Sequence, residues 1–177
     1  MHIIADLSSL DQYVAHLKIS SVLCSLSKCP HCGKNDPWRH GGYGRKADRG
    51  NLKNTLNPVF IQRYYCNECN KTTSVLPECI PPLRWYSWAV QHHILFMIIT
   101  GNSFRAIANQ TIPSRNTISR WLSRFKDKFL LHKDIICNQF IELGRLVTFY
   151  DFWQACLNLM SLSKAMYLCH VSGEAIP

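Results

Sequence analysis

The period of the hydrophobic positions changes several times along the chain, and each change predicts an element. Leu10, Tyr13, Val14 and Leu17 recur at helical spacing behind Ser9, so a short capped helix is expected within residues 1–28, acting as a packing arm. Phe60-Ile61-Gln62-Arg63-Tyr64-Tyr65 and Thr72-Thr73-Ser74-Val75-Leu76 are instead rich in β-branched and aromatic residues. They predict a hairpin whose second strand stops at Pro77, which has no N–H to give to a ladder. Pro77, Pro81 and Pro82 mark a stiff connection. Beyond it Trp85, Trp88, Ala89, His92, Leu95, Phe96 and Ile99 return to spacings of three and four, predicting a helix over 85–100 that Gly101 terminates. Ser103 then heads a short helix to Gln110, Thr111-Ile112-Pro113 turns, and Ser114 heads a longer helix with Ile118, Leu122, Phe125 and Phe129 inward. That helix is expected to run on from Lys126 towards Glu142 or to break near Asp134. Residues 145–170 carry further apolar positions at broadly helical spacing.

These elements predict an α+β chain: a small β ribbon followed by a mostly helical region. The expected divisions are a helical arm at 1–28, a ribbon at 29–80, a helix-turn-helix at 84–130 and a C-terminal helical segment at 131–177. The last is apolar and near neutral, and its expected role is packing or homodimer formation.

Cysteine spacing supplies the chemistry. Cys29-Pro30-His31-Cys32 and Cys66-Asn67-Glu68-Cys69 are two Cys-x-x-Cys pairs separated by 33 residues. Each such turn can bring two sulfurs to one tetrahedral Zn²⁺ at ~2.3 Å, and two turns close the shell, which makes the site structural rather than catalytic. Two disulfides or a redox Cys-x-x-Cys are the alternatives; paired motifs argue against a single redox site. His31 and His40 could each ligate zinc, but four cysteines leave neither needed. Cys24 reads as a buried thiol or a competing ligand, and Cys137, Cys156 and Cys169 as buried thiols. His92 and His93 are adjacent on a helix and point apart, so they read as helix residues.

Composition narrows the setting. The chain has 47% hydrophobic residues and nine cysteines among 177 residues. Its N-terminus shows no secretory pattern, and its longest apolar run, Ile94 to Ile99, is far short of the ~20 residues a membrane span needs. A cytoplasmic, reducing compartment and no membrane partner are therefore expected. The net charge of +9 is concentrated: Lys28 to Lys128 holds 16 Lys/Arg against five Asp/Glu. A localised basic segment fits double-stranded DNA as partner.

Two stretches carry the candidate contacts. Trp38 to Lys53 is rich in glycine and reads as a loop able to approach phosphates, with Arg39, Arg45, Lys46, Arg49 and Lys53 as the contacts. On the helix from Ser114, the residues facing away from the apolar stripe are Asn116, Ser119, Arg120, Ser123 and Arg124, with Arg115 and Thr117 at its first turn. Arg suits guanine, Asn suits adenine, and Ser suits either.

Together the Tyr-x-Cys-x-x-Cys knuckle, Leu76-Pro77 and the run Ser114-Arg115-Asn116-Thr117-Ile118-Ser119-Arg120-Trp121-Leu122 resemble the N-terminal DNA-binding part of bacterial insertion-sequence transposases. They also resemble small DNA-binding proteins encoded beside such transposases. The resemblance covers roughly residues 25–130. It implies recognition of a mobile element's ends, one structural Zn²⁺ on Cys29, Cys32, Cys66 and Cys69, and a separate transposase as a further partner. Such transposases carry a catalytic domain with three carboxylates that hold Mg²⁺. After the helix-turn-helix this chain has only Asp134, Glu142, Asp151 and Glu174 in a helical pattern, so it is expected not to be an enzyme. A transcriptional regulator and a zinc-ribbon adaptor for proteins are the other functions compatible with the pattern.

Overall fold

The computed structural model describes residues 2–4, 7, 9–19, 26–46, 58–82 and 86–173. The chain divides into two compact units, Met1–Ser87 and Trp88–Pro177. The expected α+β class holds: a sheet bearing the four cysteines comes first and a set of helices follows.

The first unit contains β1 (His2–Ile4), α1 (Leu10–Ile19), β2 (Trp38–Arg45), β3 (Val59–Cys66) and β4 (Lys71–Pro77). The sheet runs β1-β4-β3-β2; β2, β3 and β4 are antiparallel, while β1 lies parallel to β4. The hairpin expected from the second cysteine pair is therefore the centre of a larger sheet, and the N-terminal arm contributes a strand as well as a helix. Ser9 caps α1 as its position implied, its Oγ accepting from the Gln12 N–H at 3.2 Å. Tyr13 is fully buried against Val59, Ile61 and Leu76, with Leu10, Val14 and Leu17 packed around it. Its hydroxyl donates to the Phe60 carbonyl at 2.7 Å, so the polar atom that Tyr13 carries into this core is satisfied.

Residues 38–45 correct the loop expectation. They form strand β2, and their glycines serve the strand. Arg39 faces Tyr64 and Gly42 faces Gln62, so β2 carries one extra residue between these two pairs. This is a β-bulge, and Gly41 takes the left-handed conformation it demands (φ 62). At Gly42 a Cβ would lie 2.2 Å from the Phe60 ring and 2.5 Å from the Ile61 carbonyl oxygen, so only glycine lets this side chain and strand approach. Gln62, buried below, accepts from Arg39 Nε at 3.1 Å and donates to the Gly41 carbonyl, tying down the bulge.

The second unit contains α2 (Trp88–Ile99), α3 (Phe104–Gln110), α4 (Arg115–Asp127), α5 (Phe129–Cys137), a 3₁₀ turn (Ile141–Arg145), α6 (Phe149–Leu159) and α7 (Leu162–Val171). Small polar residues start α3, α4, α6 and α7. The hydroxyls of Ser103, Ser114, Thr148 and Ser161 each accept from a backbone N–H three residues on, which satisfies donors the helix itself leaves orphaned. Gly101 ends α2 at φ 89, with Asn102 N–H bonding back to the Met97 carbonyl at 3.0 Å. His92 Nδ1 accepts the first N–H of α7, from Leu162, at 3.2 Å, which gives His92 a structural role.

Two helical expectations need correction. On α2 the buried side chains are Trp88, Gln91, Ile94, Leu95, Met97 and Ile98, while Ala89 and Phe96 are exposed. The helix is apolar on nearly every side, so its pattern points weakly to any one face. The break expected near Asp134 comes earlier, at Lys128 (φ −100, ψ 6), which carries Phe129 onto the rings of Phe149 and Phe152 at 5.5 and 5.6 Å. The shared core joins Trp88, Leu95, Phe125, Phe129, Phe152, Trp153, Leu162 and Met166, so the C-terminal helices pack with α2, α4 and α5. Cys156 and Cys169 are buried in it and Cys137 packs at its edge, as free thiols.

Candidate functional site

The two cysteine pairs are shaped by matching backbone turns. After Cys32 comes Gly33 at φ 75, and after Cys69 comes Asn70 at φ 54, so each knuckle turns through a left-handed residue immediately beyond its second cysteine. Glycine and asparagine are residue types that tolerate this. The Lys34 N–H then bonds Cys32 Sγ, and the Lys71 N–H bonds Cys69 Sγ, two residues on in both cases. The first knuckle is closed by Gly33 N–H to Cys29 carbonyl (2.9 Å) and Cys29 N–H to Lys34 carbonyl (2.7 Å). The second sits on the β3–β4 turn, where the Tyr65 hydroxyl donates to Asn70 Oδ1 at 2.7 Å.

These turns bring Cys29, Cys32, Cys66 and Cys69 together with all four Sγ atoms within 4.8 Å of one another. Cys29 and Cys69 sulfurs are 3.7 Å apart, and Cys32 and Cys66 sulfurs 3.6 Å. A tetrahedron with metal–sulfur bonds of ~2.3 Å has edges of ~3.8 Å, so the cluster fits one closed-shell ion. These separations are also far longer than the ~2.05 Å of a disulfide. The electrostatics agree. Burial acts to raise the Cys29 thiol, but N–H bonds from His31 and Cys32 outweigh it and lower it to about 7. At Cys32 the Lys34 N–H acts to lower the thiol, yet burial and the three neighbouring sulfurs push it up to about 12. Four thiols this close cannot all ionise unless a cation sits among them. His31 and His40 are exposed, and among the described residues no other group of three or more His, Cys, Asp or Glu side chains could hold a metal.

The basic candidates fare unequally. Arg39 is exposed, but its Nε is bonded to Gln62. Arg45 is half-buried, its guanidinium donating to the Pro81 carbonyl, and burial lowers its pKa. Arg45 is thus a strut between β2 and the chain after β4, not an open phosphate ligand. Lys46 is exposed; Cys24, Arg49, Lys53, Trp85 and Glu174 lie outside the described residues.

Helix α4 separates its faces cleanly. Ile118, Trp121, Leu122 and Phe125 are buried, whereas Arg115, Asn116, Ser119, Arg120, Ser123 and Arg124 are exposed. At about 100° per residue, the outward group from Ser119 to Arg124 fills an arc of ~140°, joined by Asp127. Thr117 is half-buried and its hydroxyl lies 3.1 Å from the Ser114 hydroxyl at the cap, so it is a helix-start residue first. Arg120 Nε donates to the Asn116 carbonyl at 3.2 Å, which steers the guanidinium along the helix surface. The turn of four residues between α3 and α4 buries Pro113 and exposes Ile112.

One family profile matches residues 29–121, more than half of the chain. The chain belongs to that family, Domain of unknown function (DUF6431). The DUF6431 match begins at the first metal-site cysteine and ends on α4, at Trp121, so it includes both knuckles and the α3–α4 turn. The description names no activity and no transposase. No curated protein and no solved structure matches the chain. No helix among the described residues is long and apolar enough to cross a membrane.

Proposed function

We propose that this protein is a zinc-dependent, sequence-specific DNA-binding module of a mobile genetic element, acting beside a separate transposase and cutting no DNA itself. The observation that carries the reading is the outward arc of α4. Asn116, Ser119, Arg120, Ser123 and Arg124 form one polar, cationic surface on a helix whose other face is locked into a core. In a major groove Arg120 and Arg124 would pair with guanine O6 and N7, and Asn116 with adenine N6 and N7. Arg115 and the capped N-terminus would meet phosphate. Zn²⁺ on the four cysteines would contribute folding energy to the ribbon and take no part in chemistry. A regulator of transcription would use the same helix, and the nature of the bound sequence separates the two: element ends in one case, a promoter in the other.

The test is fluorescence anisotropy of labelled duplex from the DNA flanking the gene, with zinc-loaded full chain, over a salt series. Affinity should fall with a log–log slope of about −0.9 per phosphate neutralised and exceed that for scrambled duplex. Arg120→Ala should lose ~1–3 kcal/mol and relax discrimination at one base pair. Equal loss on every duplex would reduce Arg120 to a phosphate contact, and equal wild-type affinity for flanking and scrambled duplex would sink the specific reading.

A further inference from the structure

The ribbon carries a second surface that α4 does not explain. Residues opposed across a sheet share a face, and Trp38 opposes Tyr65, which in turn opposes Thr72. Arg63, two residues before Tyr65, shares that face and opposes Ser74. His40, two residues beyond Trp38 and just before the bulge completes, also lies there: its ring centroid is 5.7 Å from that of Tyr65, at an interplanar angle of 41°. One half of this face, at Val59 and Ile61, is buried with Tyr13 of α1. The other half is open. Trp38 is 67% exposed, His40 and Thr72 are exposed, and Arg63, Tyr65 and Ser74 are half-buried.

This half-face holds three aromatic rings, one guanidinium and the hydroxyls of Tyr65, Thr72 and Ser74, while Asp36 and Glu68 line a cleft beside Trp38. Arg63 makes no ion pair among the described residues, whose one salt bridge joins Lys34 to Glu68 at 3.7 Å. Over 26–46 and 58–82 there are seven Lys/Arg and three Asp/Glu; Glu78 is buried, Glu68 lies 3.7 Å from Lys34, and Asp36 is exposed beside Trp38, so the cations remain in excess. The surroundings therefore favour an anion. Trp38, exposed and opposite Tyr65 in the strand register, offers an open ring on which a planar group can stack. Polyanion and planar group together describe one ligand class.

We infer that this open half-face is a stacking platform for unpaired nucleotides, with Trp38, His40 and Tyr65 receiving bases and Arg63 a phosphate. Stacking on exposed rings is tolerant of sequence because every base offers a π-face. Duplex DNA keeps its base faces covered, so this site takes single strands where α4 takes duplex. It does not depend on the α4 reading, since every residue it uses belongs to the first unit.

The test uses zinc-loaded full chain and fluorescein-labelled oligo(dT) and oligo(U) of about 12 nucleotides, a length within the footprint of small single-strand-binding folds. At least one should bind, and the tighter of the two assigns the platform to DNA or to RNA. Trp38→Ala should weaken that binding about 10-fold or more, and Trp38→Phe should recover most of it, with one zinc per chain retained in both. Arg120→Ala should weaken duplex binding and leave oligonucleotide binding unchanged. Failure of both oligomers to bind, or equal binding by Trp38→Ala, overturns the platform; loss of duplex recognition with oligonucleotide binding intact overturns the α4 reading alone.

Discussion

Among the described residues, the ribbon unit's core cluster joins six buried apolar side chains around Tyr13, whereas the helical unit's joins fourteen around Phe152 and Trp153. The ribbon also exposes most of β2, and two of its turns need left-handed residues beside the cysteines. Small units commonly supplement a limited core with a structural metal, and the four clustered cysteines would serve the ribbon in that way. The helical unit shows the opposite economy: aromatic rings of Phe125, Phe129, Phe149, Phe152 and Trp153 meet edge-to-face at 5.4–5.6 Å, and its helices are capped locally. If the four cysteines hold a metal, one half rests on coordination and the other on packing, so each should be breakable without the other.

Metal removal gives the largest expected effect. Structural zinc in small modules contributes on the order of 10 kcal/mol, so chelation or Cys66→Ser should unfold the ribbon. Limited proteolysis should then cut within 26–82 while a fragment near 88–173 persists and helical circular dichroism survives. Zinc retained at full stoichiometry in Cys66→Ser would refute its place among the ligands. The converse perturbation is Phe152→Ala, which removes a fully buried ring in contact with Phe129 and Trp153. It should cost ~3–5 kcal/mol in the helical unit and leave zinc stoichiometry unchanged.

How much of this contrast could be read from sequence depends on how local each signal is. The cysteine pairs, the Ser9, Ser103 and Ser114 caps, the stop at Pro77 and the Gly101 helix end are all decided within a few residues, and each was legible. β2 was not, because Trp38-Arg39-His40-Gly41-Gly42-Tyr43-Gly44-Arg45 has poor strand propensity and becomes a strand only by pairing with β3, about 20 residues away. Its glycines looked like a phosphate-approaching loop, and Arg45 looked free, until Pro81 supplied its partner. Gln91 and His132 are polar residues that the fold buries, and no spacing rule marks them. The tandem of Trp38, His40 and Tyr65 was equally hidden, since it joins two strands across a bulge.

His132 turns that surprise into a pH test confined to the helical unit. It is fully buried beside Phe125 and Trp153, and neither ring nitrogen has a hydrogen-bond partner. Burial, aided by Lys128, lowers its pKa from 6.5 to about 4. The fold therefore favours the neutral ring. Stability should be flat above about pH 6.5 and fall as the pH drops towards about 4, by about 3 kcal/mol in full, because the unfolded chain takes up the proton first. His132→Leu should flatten this slope, and urea unfolding followed by helical circular dichroism at about pH 7 and about pH 5 measures it. An unchanged slope would place the acid sensitivity elsewhere.

The smallest effect separates two glycines in the ribbon and decides what they are for. If the glycines of β2 serve phosphate approach, Gly42→Ala and Gly44→Ala should both weaken DNA binding and neither should affect folding. The strand geometry argues otherwise. At Gly42 a Cβ meets the Ile61 carbonyl at 2.5 Å, and that backbone atom cannot swing aside as the Phe60 ring could; at Gly44 the nearest atom is Pro58 at 3.4 Å. Gly42→Ala should therefore destabilise the ribbon by ~1–3 kcal/mol through forced strand separation. Gly44→Ala should be neutral or stabilising by up to about 1 kcal/mol, since it restricts the unfolded chain at no steric cost. Thermal unfolding of the zinc-loaded ribbon signal reads both. Equal stability of the two variants would mean that β2 relaxes freely, and the tie from Gln62 to the bulge would then do little to hold Trp38 and His40 beside Tyr65.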